Sequence, residues 1–520
     1  MKTVPATFAP AFAVQRRLLI VLLVASLAAG GGGNRAPAQT ATYCNPLPIP
    51  DYPVGKSVRD AANGDRTDGS ALWLLDHKEQ YRELADPTAL WLDGKWYLYP
   101  SCDMAWVSAD NGATWQHHPL NIRDAGYAPT VVQHSGKFYL IASDSPLYVA
   151  AGPLGPFEAV GGINLPRRAG TLAVPGQTDP MLFSDEGKLF LYWGCTATGG
   201  IWGVELDAQN PTRVVGTPVR LIEFSPAQQP WEAVGDWNQD PSTGWIEGSW
   251  MLKRNNIYYL TFSAAGTENR TYAMGCYMGK SPLGAFTAQK RNPILRMTTG
   301  LVTGTGHGCV VAGPQDKLFA FYTIRAGVAH AFERRIGMDR AEIDPAGELY
   351  VPAATSAPQR LPGAAGAPAS GDTGWLPLNT GMQTIGSTSA ENLQPRFAVD
   401  EDMRTWWQPA DGDALPTLTS RLPAGATVRA VRIIWRDAGL NTTKGVLPGP
   451  FRYRVELETA RTTWTTIVNR DDSQEDFLID YRPCTPAVGA RVRLVITGWP
   501  KGIKPAVAEF TVFGTVKAPP

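Results

Sequence analysis

The chain has 520 residues, too many for one ordinary domain, so two folded domains are expected after an N-terminal segment is set aside. Lys+Arg and Asp+Glu are equal at 47 each, and this balance argues against nucleic acid or another polyanion as the main partner. Trp, usually the rarest aromatic, matches Tyr and Phe at 17 each, and its flat rings suit both sugar faces and the packing of strand-rich cores.

At the N-terminus, Arg16 and Arg17 precede LLIVLLVASLAA (Leu18 to Ala29), a glycine run and Ala36-Pro37-Ala38. A positive segment, a short apolar run and an A-x-A site predict a signal peptide over 1–38 and a secreted or periplasmic protein, with no membrane span once the signal is removed. Six cysteines are scattered without a C-x-x-C pair, which disfavours structural zinc. Export would permit disulfides, but their pairing is not readable from the sequence.

From Arg82 the chain reads RELADPTALWLDGKWYLYPS, two aromatic-rich strands joined by Asp93-Gly94, a pair suited to a type I′ turn. The pattern returns at YAPTVVQHSGKFYLIAS from Tyr127, TDPMLFSDEGKLFLYWG from Thr178, IEGSWMLKRNNIYYLTFS from Ile246 and TGHGCVVAGPQDKLFAFYT from Thr305. Five such hairpins predict an all-β, five-bladed propeller, with a β-sandwich as the alternative. GPLGPF (Gly152 to Phe157) and SPLGAF (Ser281 to Phe286) read as one blade-edge turn used twice.

Aligned, the residues that open the hairpins are Asp86, Ala128, Asp179, Glu247 and His307. In a propeller, equivalent positions at one end of the innermost strands converge on the axis. Three carboxylates gathered there repel one another and pay for burial, so folding alone gives no reason to assemble them. Glycoside hydrolysis needs a carboxylic acid, and a carboxylate that activates water on the opposite face, which fits an inverting enzyme.

These segments, over roughly residues 44–350, resemble glycoside hydrolase family 43, whose catalytic domain is a five-bladed propeller. The resemblance implies Asp86 as general base, Asp179 as the residue that tunes the acid and orients substrate, and Glu247 as general acid. His307 corresponds to a channel-facing residue that touches substrate, a water or a central calcium. No cofactor is implied for the chemistry. The implied substrates are plant-type polysaccharides or oligosaccharides carrying α-L-arabinofuranosyl or β-D-xylosyl units; galactofuranosides and galactans are alternatives, as is a non-catalytic, lectin-like propeller.

Two segments depart from that pattern. The connection between Leu206 and Gly244 is long and carries PWEAVGDWNQDPSTGW, which is either a rim loop of the substrate pocket or a long turn packed over a blade. SADNGATW (Ser108 to Trp115) fits an Asp-box, a hairpin-stabilising element also found in sialidases, but a sialidase would further need an arginine cluster and a Tyr nucleophile.

After Pro352 an Ala-, Pro- and Gly-rich stretch, 353–373, reads as a linker between a propeller over 44–352 and a second domain over 374–517. RFAVDEDMRTWWQP, VRAVRIIWRD, FRYRVELETARTTWTTIV, ARVRLVITGW and AEFTVFG resemble the discoidin (coagulation factor 5/8 type C) fold, an eight-stranded jelly-roll sandwich. That resemblance implies a carbohydrate-binding module or one that packs on the propeller, with a structural calcium near Asp400 and Glu509.

Overall fold

A computed structural model describes residues 41–52, 80–101, 104–122, 125–363 and 371–517. The expected signal segment, Cys102 and part of the expected linker lie outside the described residues. Among the described residues the secondary structure is strand and four short 3-10 turns, with no α-helix.

Five four-stranded antiparallel sheets follow one another along the chain. Their first strands are Thr88–Leu92, Thr130–His134, Met181–Asp185, Glu247–Arg254 and Gly308–Ala312. Each first strand touches the next, and the fifth touches the first, so the sheets are the blades of a propeller around a common axis. Four of the five opening hairpins close with left-handed residue pairs: Asp93-Gly94, Ser135-Gly136, Glu186-Gly187 and Asn255-Asn256. Two positive-φ residues match the right-handed twist of the flanking strands, which is why these short turns recur. The fifth hairpin instead passes through a 3-10 turn at Pro314–Asp316.

The remaining motifs sit at blade edges. Ser108 and Asp110 knit the Asp-box between the third and fourth strands of blade one, where Asp110 accepts hydrogen bonds from the Thr114 amide and hydroxyl. The two matched turns join the third and fourth strands of blades two and four, each closed by a backbone hydrogen bond, Gly155 N–H to Gly152 and Gly284 N–H to Ser281.

Residues from Leu376 to Val516 form a two-sheet β-sandwich. One sheet has the order Leu376–Pro377, Lys504–Val516, Ala426–Ala438, Ile479–Val488; the other has five strands. The stretch between the propeller and the sandwich is not a free tether where it is described. Val351, Ala354 and Leu361 are buried, and Gln359–Arg360 pairs with Thr42–Tyr43. Met403, Ile434, Ile479 and Ala508 of the sandwich share an apolar cluster with Leu318, Tyr322, Ile324 and Leu349 of blade five. Arg432, fully buried, donates to the carbonyls of Asn45 at 2.6 Å and Ser356 at 2.7 Å.

Candidate active site

The opening residues share a backbone device. Asp86, Ala128, Asp179 and His307 all stand at positive φ, 50°, 53°, 50° and 28°. A non-glycine residue there costs on the order of 1–3 kcal/mol and persists only where its surroundings impose it. Those surroundings are a set of latches between blades. Each of the four amides donates to a hydroxyl at the end of the preceding blade's second strand: Asp86 to Thr323 (2.9 Å), Ala128 to Ser101 (3.0 Å), Asp179 to Ser143 (2.9 Å) and His307 to Ser263 (2.7 Å). The kink turns the side chains to the axis, where Asp86, Ala128, Asp179, Ser249 and His307 line a cavity of about 10 Å³. That is room for about one water.

The fourth blade departs from this scheme. At the latch position of blade three stands Gly194, and the neighbouring Cys195 sends its thiol to Glu247 Oε2 at 3.1 Å. Glu247 begins its strand, and the left-handed residue is Gly248, φ 61°. A Cβ on Gly248 would come within 2.8 Å of the His307 ring, so both conformation and space require glycine.

Asp86 is 4% exposed and carries the densest set of partners. Both nitrogens of the Arg334 fork donate to it at 2.9 Å, Ser101 Oγ donates at 2.6 Å, and His307 Nδ1 lies 3.4 Å away. Burial alone would raise its pKa; Arg334, His307 and Ser101 outweigh burial and hold it below the usual carboxylate value. Arg334 is itself fixed by Glu83, to which its Nε donates at 2.6 Å. It lies against the rings of Tyr127 and Phe332.

Glu247 and Asp179 are shifted the opposite way. Glu247 is pushed up to about 7, first by burial and also by the charge of Asp86, although hydrogen bonds from Tyr272 and Cys195 pull it down. Asp179 is also pushed up to about 7 by burial, with Glu247 and Asp86 adding to it and His307 opposing. Ligand atoms of Asp179, Cys195 and Glu247 all lie within 4.8 Å of one another. One carboxylate is thus held ionised and an adjacent pair retains a proton near neutral pH.

The three acids and His307 are therefore brought together. Arg334, Tyr272, Cys195 and the latch hydroxyls were not singled out in the sequence, because they come from the ends of second and third strands and share no motif with the openings. A wider recess of about 480 Å³, lined in part by Tyr43, Asp339, Arg340 and Asp372, lies elsewhere. Its buried carboxyl, Asp339, is engaged by Asn45, Tyr322 and Thr355.

This arrangement is that of a glycosidase, and similarity to known proteins agrees. The model of glycosyl hydrolases family 43 matches residues 75–349, more than half of the chain. The chain belongs to glycosyl hydrolases family 43. Among its relatives, a β-D-galactofuranosidase of Aspergillus niger is 26% identical over 300 residues, covering 51% of this chain and 81% of the relative. A β-xylosidase of Xylanibacter ruminicola is 27% identical over 278 residues, covering 42% and 82%. A xylosidase/arabinosidase of Bacteroides ovatus is 26% identical over 283 residues, covering 42% and 80%. The family 43 chain is thus a glycoside hydrolase that acts on carbohydrate.

The long connection in this family 43 enzyme is divided by a strand, Val214–Ile222, which leaves 223–246 as the loop. Strands alternate in direction within a blade, so loops entering first strands and loops joining second to third strands open at the same end, the end of the carboxylates. The 223–246 loop is therefore on the rim. It is pinned there by Asp236, which accepts from the Arg270 amide at 2.8 Å, and by Gly235, whose carbonyl accepts from Thr271 at 2.7 Å. Tyr272, the next residue, is the hydroxyl that donates to Glu247. Trp237 stands out from this loop 80% exposed, with the Arg270 guanidinium 5.7 Å from its ring centre.

In the sandwich, Glu509 is fully buried and accepts from the amide of Glu401 and the hydroxyl of Thr511; Asp400 is exposed and accepts from Thr405 and the Asp402 amide. Calcium takes six to eight oxygens. Among the described residues no third His, Cys, Asp or Glu joins this pair closely enough to share an ion, and burial, the first cause, pushes Glu509 up to about 8. The five described cysteines, Cys44, Cys195, Cys276, Cys309 and Cys484, are free thiols. Among the described residues no helix is long and apolar enough to cross a membrane.

Proposed function

We propose that this family 43 hydrolase inverts configuration at the anomeric carbon and releases α-L-arabinofuranosyl or β-D-xylosyl units from plant-type polysaccharide or oligosaccharide. The observation that carries the reading is the opposite electrostatic setting of Asp86 and Glu247. Glu247 gives its proton to the glycosidic oxygen as that bond breaks. Asp86, kept ionised by Arg334, takes a proton from the water that attacks the anomeric carbon from the other face. Asp179 keeps the proton on Glu247 through like-charge repulsion. His307 orders the two aspartates from the channel side.

The Aspergillus relative favours a second substrate reading, a β-D-galactofuranoside. Its ring has the same configuration as α-L-arabinofuranose and differs by a longer exocyclic arm, so one pocket suits either ring according to the room left for that arm. The protein is exported, on the strength of its N-terminal pattern, and the C-terminal sandwich is a discoidin-like module that packs on the catalytic propeller.

The test is hydrolysis of nitrophenyl α-L-arabinofuranoside, β-D-xyloside and β-D-galactofuranoside by the purified protein, with Asp86→Asn as control. Hydrolysis of one of these that depends on Asp86 supports the reading. No hydrolysis of any by the wild type, or full activity in the variant, overturns it.

A further inference from the structure

Two adjacent residues of opposite charge on one sandwich strand reach two propeller segments of opposite charge. Arg436 Nη1 donates to Glu333 Oε1 at 2.5 Å, with side chains 13% and 8% exposed. Asp437 accepts from Arg82, Nε to Oδ2 at 2.6 Å and Nη2 to Oδ1 at 3.2 Å, and Arg82 also donates to Asp476 of the sandwich at 2.6 Å. Glu333 immediately precedes Arg334, and Arg82 stands four residues before Asp86. The two propeller segments are further joined by the Leu84 amide, which donates to the Arg334 carbonyl at 3.1 Å.

Glu333 also closes the mouth loop that joins the second and third strands of blade five. Its Oε2 accepts from the amides of Val328 at 2.8 Å and Ala329 at 2.9 Å. That loop carries His330, stacked on Tyr81 at 4.9 Å, and Phe332, which meets Tyr127 edge-on and lies 5.0 Å from the Arg334 guanidinium. The Arg436 guanidinium rests over Trp406 of the sandwich, 5.4 Å from its ring centre.

We propose that Arg436 and Asp437 are positioning residues for the Arg334–Asp86 pair, so that the C-terminal sandwich is a working part of the active site. The physical reason is the cost of an unpaired buried charge. Removing Arg436 leaves the Glu333 carboxylate buried without its counter-ion, and the carboxylate regains water only if loop 326–333 opens. Opening displaces the aromatic wall and the residue that follows it, Arg334. Misplacement of a catalytic group by a fraction of an ångström to one ångström lowers turnover even when the altered residue is remote.

This inference rests on the reading of Asp86 as the base, and the experiment separates the two. Arg436→Gln, Glu333→Gln and the double variant are compared with Arg436→Lys on the nitrophenyl glycoside that the wild type hydrolyses. Rates are taken per folded molecule, as quantified by near-UV circular dichroism. Each Gln variant is expected to lose about tenfold in kcat/KM, the double variant no more than either single one, and the Lys variant to recover most of the loss. Arg454→Gln, which breaks an ion pair with Asp471 inside the sandwich, is expected to stay at the wild-type value. Should Arg436→Gln fail to fold, Glu333→Gln and Arg436→Lys decide alone. A folded Gln variant within twofold of wild type, even with a lower Tm, overturns the proposal and leaves the interface merely structural. If Asp86→Asn keeps full activity, it is the reading of the base that fails.

Discussion

Arg334 meets Asp86 through two parallel hydrogen bonds, both 2.9 Å long, in a setting where burial alone would favour a protonated carboxyl. The guanidinium fork is what keeps this carboxyl ionised. Arg334→Met is therefore expected to cost about 10²–10⁴-fold in kcat/KM, the range for loss of general-base catalysis. The charged groups facing Asp86 are Arg334, His307, Asp179 and Glu247, so removal of Arg334 leaves two carboxylates against one imidazole. The acidic limb of kcat/KM should move to higher pH. Arg334→Lys should recover little, because an ammonium cannot span both carboxylate oxygens. A pH–rate profile of the two variants checks this.

Glu247, the proposed acid, has neighbours that act in opposite directions. Asp179 lies beside Glu247, with ligand atoms within 4.8 Å, so an ionised Asp179 would raise the proton affinity of Glu247 by like charge, whereas the Tyr272 hydroxyl stabilises the ionised form of Glu247. Asp179→Asn should shift the basic limb of kcat to lower pH, and Tyr272→Phe should shift it to higher pH. Limbs that stay in place would remove both residues from the tuning of Glu247 and leave them substrate-orienting or structural.

Stability should depend on pH through the same groups. Burial, the first cause in each case, pushes Asp179, Glu232, Glu247 and Asp339 up to about 7 and Glu509 to about 8. A carboxyl raised above its unfolded value of about 4 gives stability that is complete below that value and is lost as pH rises through the folded one. The histidines His117, His118 and His134 are lowered by burial and work the other way up to about pH 6.5, but they are fewer. Tm is expected to fall as pH rises from about 5 to about 7.5, and the fall should be shallower in Asp179→Asn. Thermal melts at constant ionic strength test this, and a Tm that rises over that interval contradicts it.

Much of the fold was legible because the turns between first and second strands ask for particular residues. Asp93-Gly94, Ser135-Gly136 and Glu186-Gly187 adopt the two positive-φ positions, and the matched openings Asp86, Ala128 and Asp179 follow from the register that those turns set, whereas a bulge shifts Glu247 by one residue relative to its turn at Asn255-Asn256. Arg334 was not legible, since ring closure brings it to Asp86 across 248 residues, and Tyr272 and Cys195 reach Glu247 from the ends of other strands, where no local pattern records the contact. The packing of the described part of the linker was not legible for a related reason. Its composition cannot fold alone, yet Ala354 and Leu361 find apolar partners in the propeller, and Gln359–Arg360 pairs with the N-terminal strand. The ionic contact of Arg82 with Asp437 likewise joins residues whose sequence neighbourhoods look like ordinary surface.

Trp237 gives the rim loop a consequence for substrate choice. An indole 80% exposed and backed by Arg270 is a ready platform for a sugar ring beyond the one being cleaved. Trp237→Ala should lower kcat/KM on a xylo- or arabino-oligosaccharide about tenfold more than on the nitrophenyl glycoside, which has no second sugar, tenfold being about 1.4 kcal/mol of lost contact. Equal losses on both substrates would assign the loop to packing alone.

The division of labour between Asp86 and Glu247 is tested most directly by the dependence of kcat/KM on the leaving group in the two single variants. Measured across glycosides from an unactivated alcohol to dinitrophenol, Glu247→Gln should approach wild-type rates as the leaving group ceases to need a proton, whereas Asp86→Asn should stay low on all of them, since every substrate still needs its water activated. Equal loss in both variants, whatever the leaving group, would contradict the assignment of Glu247 as the acid and Asp86 as the base.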